Sequence, residues 1–248
     1  MGKFLLGAFG LISLGAAVPA VAADLAPRTY APPSVVAYDW SGFYFGFDAG
    51  GAWSHNCWIN TSTFGVATVP SFGEGCSGAT GAMVGGQAGY RWQTSSFVFG
   101  LETQGDWAYL SGSNASLFNL GTSNQTKTNA LGLFTGQIGY AWNNVLWYAK
   151  GGIALADNTY NGLFTGVEFD QANEIRWGSV IGTGVEVGFA DDWSLALEYD
   201  HAFMGSQTLT FTAVPVAGLS RNDSISQSID MITARVNYRF GAPVVAKY

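Results

Sequence analysis

From Trp40 onward the chain alternates apolar and polar residues with a period of two. In the stretch FVFGLE, for example, Phe97, Phe99 and Leu101 share one face, and the intervening residues share the other. A period of two is that of a β-strand, because successive side chains point to opposite faces of a sheet. The chain therefore predicts an all-β fold. Eight segments carry this pattern, at 42–53, 80–93, 97–110, 129–142, 145–157, 175–190, 193–205 and 228–240.

The connections between these segments alternate between long and short. Short connections lie at 94–96, 143–144 and 191–192, and long ones at 54–79, 111–128, 158–174 and 206–227. This alternation predicts an up-and-down meander with four long loops at one end. Strands of about ten residues with one apolar and one polar face are typical of membrane barrels, and closure removes the sheet edges that lipid cannot hydrogen-bond. We predict an eight-stranded antiparallel up-and-down transmembrane β-barrel.

Aromatic residues on the predicted outer face recur at an interval of ten. The pairs are Phe43 and Trp53, Phe97 and Trp107, and Trp193 and Phe203. At about 3.3 Å per residue and a tilt near 40°, ten residues rise roughly 25 Å, which is the separation of the two aromatic girdles of a membrane barrel. Further girdle residues beside the short turns are Tyr90, Trp92, Tyr140, Trp142, Trp147 and Phe240.

The N-terminal region differs from the rest of the chain. Residues 1–23 contain one basic residue, Lys3, then an apolar stretch and a small-residue end, which predicts a secretory signal peptide cleaved near Ala22 or Ala23. Residues 24–39 are rich in proline and predict an extended periplasmic linker. The predicted barrel with its four long loops then occupies 40–248.

Charge and cysteine content restrict the partners. The net charge of −7 argues against a nucleic-acid partner, which normally meets a basic surface. In a secreted protein the two cysteines, Cys57 and Cys76, predict a disulfide within the first long loop, outside the predicted strands. The two histidines, His55 and His201, form no cluster with metal-ligand spacing, so we expect no metal site and no cofactor.

Charged residues at inward positions predict a network in the lumen. A narrow barrel is filled by side chains, and buried charges require partners, so a structural network is the first interpretation. The alternative is a narrow pore whose selectivity these residues set, and inward glycines such as Gly46, Gly100 and Gly184 leave space for it. The predicted network comprises Asp48, Arg91, Glu102, Asp106, Lys150, Arg176, Glu186, Glu198, Asp200, Arg235 and Arg239.

Candidate catalytic groups are sparse. On one strand Glu102 and Asp106 lie about 13 Å apart, beyond the roughly 5–9.5 Å of a glycosidase carboxylate pair. His201 and Ser179 fall outward on neighbouring strands, but no third group is evident to orient the histidine. We therefore predict that the protein is not an enzyme.

Several motifs carry a family resemblance over essentially the whole chain after the predicted signal peptide. The entry DWSGFYFGFDAGGAW, the repeated GGQAGYRW and TGQIGYAW, and the end VNYRFGAPVVAKY resemble the small outer-membrane β-barrel proteins of alphaproteobacteria. These porin-like Gram-negative surface proteins include surface antigens and haemin-binding members. The resemblance implies a barrel similar to the membrane domain of the OmpA class, located in the cell outer membrane. Its implied partners are outer-membrane lipid, lipopolysaccharide and the barrel-assembly machinery, which would read Phe240 or Tyr248 as the terminal aromatic.

Two functions follow as expectations. The first is an integral outer-membrane protein that contributes to envelope structure and to the cell surface, with a narrow porin activity as its extension. The alternative is a surface receptor that binds haemin or another small ligand through its extracellular loops. For haemin, His55 in the first long loop is the candidate axial ligand.

Overall fold

Eight antiparallel strands close into a barrel. The structure is a computed structural model that describes residues 38–117, 119–214 and 218–240. The barrel belongs to the compact unit Val36–Tyr248. The predicted signal peptide, the predicted linker up to residue 37, and Tyr248 lie outside the described residues.

Each strand pairs with its neighbours along the chain, and the last strand pairs with the first. Phe47 of the first strand, for instance, lies opposite Val236 of the last. The predicted fold class is therefore confirmed. Over the described ranges no helix is long and apolar enough to cross a membrane. The strands are β1 (Gly42–Thr63), β2 (Val66–Thr94), β3 (Phe97–Ala115), β4 (Thr122–Trp142), β5 (Val145–Phe164), β6 (Val167–Ala190), β7 (Trp193–Ala213) and β8 (Leu219–Phe240).

The three short connections are tight turns, as predicted. They occupy residues 95–96, 143–144 and 191–192. Ser95 and Asn143 adopt positive φ values of 58° and 55°. Such a conformation lets a two-residue turn match the right-handed twist of the flanking strands. These turns and the two ends of the barrel strands, near Gly42 and Phe240, define one end of the barrel.

The four predicted long loops are mostly strand, so the strand boundaries drawn from the sequence were wrong at this end. Strands β1 and β2 continue to a turn at Phe64 and Gly65, and β5 and β6 continue to a turn at Thr165 and Gly166. In each turn both residues have positive φ, the geometry of a type I′ hairpin. We call these prolonged hairpins, over the described parts of 54–79, 111–128, 158–174 and 206–227, the outer extension.

The extension was missed because its composition hides its periodicity. In TSNQTKTN, residues 122–129, both faces of β4 are polar, so no apolar alternation exists to count. The inward residues Asn124 and Thr126 are nevertheless fully buried. Backbone pairing continues through this segment, with Asn124 opposite Asn114 on one side and Gly162 on the other.

The outer face of the barrel carries the predicted aromatic residues. Phe43, Phe97 and Trp107 are 65%, 52% and 68% exposed, as required of side chains that meet lipid. Near the short turns the rings contact one another: Phe43 and Tyr90 have centroids 4.6 Å apart, and Tyr90 continues to Trp92. Below the outer extension, the exterior of the barrel is therefore mainly apolar, while most polar residues point inward.

Candidate functional site

The lumen is filled by side chains arranged in layers. Strand β8 shows their order from the short-turn end outward: Asn237 and Arg235 are polar, Met231 and Ile229 are apolar, Gln227 is polar, Ile225 is apolar, and Asp223 and Arg221 are charged. All of these side chains are buried. The lumen therefore contains two separate charged regions with apolar side chains between them.

An apolar layer closes the short-turn end. Trp40, which precedes β1, is only 2% exposed and packs with Val98, Leu146 and Tyr148. Its backbone N–H donates to Gln93 Oε1 at 2.7 Å. Thus residues 38–40, around the end of the predicted linker, are packed against the barrel.

Four charged residues contact one another near the short-turn end of the lumen, and we call this group with its direct partners the inner charge network. The four are Glu102, Lys150, Glu198 and Arg235. Arg235 donates to Glu102, at 2.8 Å, and to Glu198. Lys150 Nζ lies 2.6 Å from Glu198 and 3.5 Å from Glu102. Each carboxylate therefore contacts both cationic side chains, and each cation contacts both carboxylates. Such mutual pairing offsets the cost of removing four charges from water.

Two tyrosines complete this network. The Tyr44 hydroxyl donates to Glu102 and the Tyr148 hydroxyl donates to Glu198, each at 2.6 Å. The inward glycines provide their space: a Cβ at Gly184 would lie 2.5 Å from the Tyr148 hydroxyl, and one at Gly89 would lie 2.6 Å from that of Tyr44. At these two positions, space left by a glycine is occupied by a tyrosine rather than open to a pore.

A second ion pair lies beside the first group. Arg91 Nη2 is 2.8 Å from Glu186 Oε2, and its guanidinium is 4.2 Å from the centroid of the Tyr44 ring. Glu186 also accepts hydrogen bonds from Ser194 and Asn237. Arg91 and Glu186 are both at least 97% buried.

The structure divides the predicted network. Arg239 lies at the short-turn end, where its side chain is 13% exposed and pairs with Asp39 at 3.8 Å and Asp192 at 3.5 Å. Arg176 lies at the border of the outer extension, where it pairs with Glu174 of that extension at 2.8 Å. Neither cation contacts the inner charge network, because each side chain forms its ion pairs with residues at its own height in the barrel. Asp48, Asp106 and Asp200 lie in the lumen with the inner network.

An apolar layer separates the inner network from the outer extension. Its larger members lie near the aromatic girdle that is farther from the short turns, which we call the upper girdle. Met231 is opposite Ala52, the neighbour of the girdle residue Trp53. These side chains are at most 4% exposed. They include Met83, Leu110, Leu131, Leu133, Met204 and Met231.

The outer charge network lies inside the outer extension and was not predicted. Arg221 is its centre, 2.8 Å from Glu74, 3.0 Å from Asp170 and 3.3 Å from Asp223. Asn124 accepts a further hydrogen bond from Arg221 at 2.9 Å. All four charged residues fall in segments predicted as loops, so their inward orientation was not assigned. Strand β8 contains a sequence signal for this network. Every second residue from Arg235 back to Arg221 is on the inward face, without a break in the alternation.

Cys57 and Cys76 form the predicted disulfide. Contrary to the prediction, both residues are in strands, where they are direct cross-strand partners of β1 and β2. His55 is exposed on the same hairpin, and its Nε2 is 3.4 Å from Cys57 Sγ. His55, Cys57 and Cys76 lie close together, but the disulfide uses both sulfur atoms.

A histidine–aspartate pair lies on the outer surface near the upper girdle. His201 Nδ1 is 2.6 Å from Asp230 Oδ1, which also accepts a hydrogen bond from the Tyr199 hydroxyl at 2.6 Å. The orienting group that the sequence did not reveal is therefore Asp230. Ser179 lies opposite Phe203, two positions along β7 from His201.

A closed antiparallel barrel with a lipid-compatible exterior and a polar, side-chain-filled interior defines a transmembrane β-barrel of an outer membrane. The chain belongs to the family described as outer membrane protein beta-barrel domain, whose model matches residues 8–240. The predicted localisation in the cell outer membrane is thereby confirmed.

Curated relatives carry the same assignment. The chain is 27% identical over 239 residues to a 31 kDa outer-membrane immunogenic protein of Brucella melitensis biotype 1, covering 90% of this chain and 95% of that protein. A protein of the same description from Brucella suis biovar 1 matches to the same extent. The predicted family resemblance is confirmed, and both relatives are named as outer-membrane immunogenic proteins.

Solved structures show the fold. The outer membrane protease OmpT of Escherichia coli superposes with a TM-score of 0.51 at 6% identity, over 80% of this chain and 97% of that one. The outer membrane protein OprG of Pseudomonas aeruginosa gives a TM-score of 0.50 at 9% identity, over 81% and 97%. At these identities the similarity concerns the barrel architecture alone.

Proposed function

We propose that the protein is a closed outer-membrane barrel that contributes to envelope structure and carries a rigid hairpin surface outside the cell. The observation that carries the proposal is the layered lumen. Apolar side chains lie on both sides of the inner charge network, and the ion pairs within that network connect strands across the lumen. A filled lumen suits a structural barrel, because cross-lumen contacts stabilise the wall on which the outer extension stands.

Narrow porin activity is the finer alternative. A conducting path requires continuous polar surface wide enough for ions and water. The side chains of Met83, Leu133 and Met231 interrupt such a path, and Tyr44 and Tyr148 occupy the space beside the inner network. These contacts favour the closed barrel over the porin.

The surface role is tested by placing a short epitope tag in either of two turns. One tag enters the turn at Phe64 and Gly65, and the other enters the turn at Asn143 and Asn144. In intact cells, antibody is expected to bind only the first tag, and both tags are expected to bind after permeabilisation. Labelling of the second tag in intact cells would refute the assigned orientation. Deletion of the protein is expected to increase detergent sensitivity, and re-expression is expected to restore resistance.

The contacts with the envelope are part of this proposal. The two girdles would contact outer-membrane lipid and lipopolysaccharide. The barrel-assembly machinery would read Phe240, which ends β8 opposite Phe43 and is 54% exposed. Replacing Phe240 with alanine is expected to reduce the amount of heat-modifiable protein in the outer membrane. An unchanged amount would mean that the assembly machinery recognises another residue, such as Tyr248.

Haemin binding through the outer extension is the second candidate function. It is supported by the exposed imidazole of His55, of which only one ring nitrogen contacts Cys57. Neutral imidazole nitrogen is a common axial ligand of haem iron. Haemin titration is expected to shift the Soret band in the wild type and in His201→Ala, but not in His55→Ala. An equal shift in all three proteins would remove His55 from this role.

We also propose that the protein has no enzymatic activity. The family description and the names of the curated relatives support a non-enzymatic barrel. The outer-surface pair of His201 and Asp230 is the group to test. Ser179→Ala and His201→Ala are expected to leave the acylation of lipid A and phospholipid unchanged in mass spectra of cell envelopes. Loss of a deacylated species in both variants would contradict this proposal.

A further inference from the structure

The inner part of the lumen contains more negative than positive groups. Among the described residues, six buried carboxylates there face three buried cationic side chains. Glu102, Glu186 and Glu198 each contact an arginine at 2.8 Å or less. The remaining carboxylates are three aspartates, of which, among the described residues, only Asp200 forms an ion pair, with Lys150 at 3.4 Å. Asp48 and Asp106 form no such ion pair with a described residue.

These two aspartates face each other across a glycine. Asp48 of β1 and Asp106 of β3 are both cross-strand partners of Gly85 in β2. Their carboxyl groups lie within hydrogen-bonding reach of each other, and both residues are at least 96% buried. A Cβ at position 85 would lie 2.3 Å from Asp106 Oδ1. The glycine thus leaves the space that the pair of carboxyl groups occupies.

Of the four carboxylate oxygens of the pair, only Asp106 Oδ2 accepts a hydrogen bond from a described residue, from Gln104 at 3.1 Å. Both carboxylate oxygens of Asp48 and Oδ1 of Asp106 are buried, and no donor among the described residues bonds to them. Two further buried oxygens without a partner, Gln87 Oε1 and Thr233 Oγ1, belong to neighbouring strands. Gln87 lies opposite Gly46 and Thr233 lies opposite Gly50, which are the inward positions on either side of Asp48.

The nearest cation in the register is already shared between two glutamates, although its buried Nε has no hydrogen-bond partner among the described residues. Arg235 lies opposite Asp48, but its two terminal nitrogens are bonded to Glu198 and Glu102. Two buried carboxylates in contact cannot both remain ionised without a compensating positive charge. Clustered carboxylate, amide and hydroxyl oxygens are the ligands that hard cations such as Ca²⁺, Mg²⁺ and Na⁺ take.

We propose that Asp48 and Asp106 bind a small hard cation inside the barrel, with Gln87 Oε1 and Thr233 Oγ1 as further oxygen ligands. The cation supplies the positive charge that the lumen lacks and cross-links strands β1 and β3. This inference does not depend on the proposed function, because a structural barrel and a porin could both contain such a site.

The experiment uses protein refolded into detergent without lipopolysaccharide, which itself binds divalent cations. Bound metal is removed by a chelator, and Ca²⁺, Mg²⁺ or Na⁺ is titrated at constant ionic strength with choline chloride as the reference salt. The unfolding temperature is read from heat-modifiable migration on gels, and bound metal is counted by elemental analysis. The wild type is expected to show a saturable rise of roughly 5–10 °C and about one bound cation per barrel.

The variants locate the site. Asp106→Asn keeps the side-chain volume and is expected to abolish both the temperature rise and the bound metal. Asp200→Asn, a matched substitution of another buried lumen aspartate, is expected to retain both. An equal rise in Asp106→Asn would place the cation elsewhere and overturn the assignment. If Asp106→Asn fails to fold, the response of the chelated wild type to added cations still tests the proposal. A chelated wild type that responds to none of the three cations would mean that the pair shares a proton instead.

Discussion

At the scale of single residues, Arg235 holds the inner charge network together. Its side chain is fully buried and contacts both Glu102 and Glu198. Removing one partner of a buried ion pair leaves an uncompensated charge, whereas exposed pairs contribute little. The identity of residue 235 should therefore matter far more than that of Arg239, whose ion pairs lie at the exposed end of the barrel.

Arg235→Met is expected to lower the free energy of unfolding by about 3–5 kcal/mol. Arg239→Met, the matched control, is expected to cost less than about 1 kcal/mol. The measurement is urea unfolding of the detergent-refolded barrel, followed by tryptophan fluorescence. Equal losses in the two variants would show that the inner network does not stabilise the barrel.

Asp223 in the outer charge network gives the outer extension a pH dependence. Burial raises the pKa of this carboxyl to about 7 from its ordinary value of 3.8. Arg221 and the hydrogen bond from Asn60 act in the opposite direction, while Glu74 and Asp170 raise the pKa further. Because Asp223 in the folded extension binds its proton more tightly than in the unfolded chain, its contribution to the stability of the extension is largest below about pH 4 and is lost as the pH rises to about 7.

Hydrogen exchange of the β7–β8 hairpin, corrected for intrinsic rates, measures this effect. Protection is expected to fall by roughly tenfold or more between pH 5 and pH 8 in the wild type. Asp223→Asn is expected to flatten the dependence, and the exposed Asp157→Asn is expected to leave it unchanged. A wild-type protection that rises over this range would contradict the assigned direction.

At the scale of elements, the β1–β2 hairpin combines a membrane-spanning part with an extension fastened by the disulfide. The bond joins residues 19 positions apart, beyond the upper girdle residue Trp53. It therefore restrains the extension, whereas the pairing below Trp53 is held by backbone hydrogen bonds to β2 and β8.

The double variant Cys57→Ser and Cys76→Ser is expected to lower the opening free energy of this extension by about 3 kcal/mol. Amide exchange over residues 54–79 is expected to accelerate, while heat-modifiable migration of the barrel stays unchanged. Wild-type protein with the disulfide reduced is the matched comparison. Loss of heat-modifiable migration in the variant would mean that the disulfide holds the barrel itself.

The elements that were predicted correctly are those where one face meets lipid. There Phe97, Phe99 and Leu101 recur at every second position on one face, and polar residues such as Glu102 and Gln104 follow on the other face. The extension has water outside and polar groups inside, so the same criterion cannot detect it. The turns were nevertheless marked in the sequence, because Phe64-Gly65 and Thr165-Gly166 place a glycine at the second position of a two-residue hairpin turn.

The candidate site divides in the same way. The period-two alternation along each strand placed Glu102, Lys150, Glu198 and Arg235 in the lumen. The structure brings these four residues together. The alternation along one strand shows which face a side chain is on, but it does not give the height of that side chain along the barrel axis relative to other strands. For this reason Arg176 and Arg239 were assigned to a network that the strand register separates from them.

At the scale of the whole molecule, the barrel has a wall that faces lipid and a lumen filled by alternating polar and apolar layers, which we propose close it. The apolar layers and the cross-lumen ion pairs serve the same end, since each joins strands that are not neighbours in the sheet. Under the proposed function, such a barrel supports the outer extension without providing a passage for solutes.

Conductance across a planar lipid bilayer tests this closure most directly. Purified protein, whose insertion is verified by heat-modifiable migration after recovery, is expected to give no current steps in 1 M KCl at either polarity. An established porin added to the same bilayer provides the positive control. Stable, reproducible current steps from the purified wild type would show that the layers open to ions, and would contradict the closed barrel.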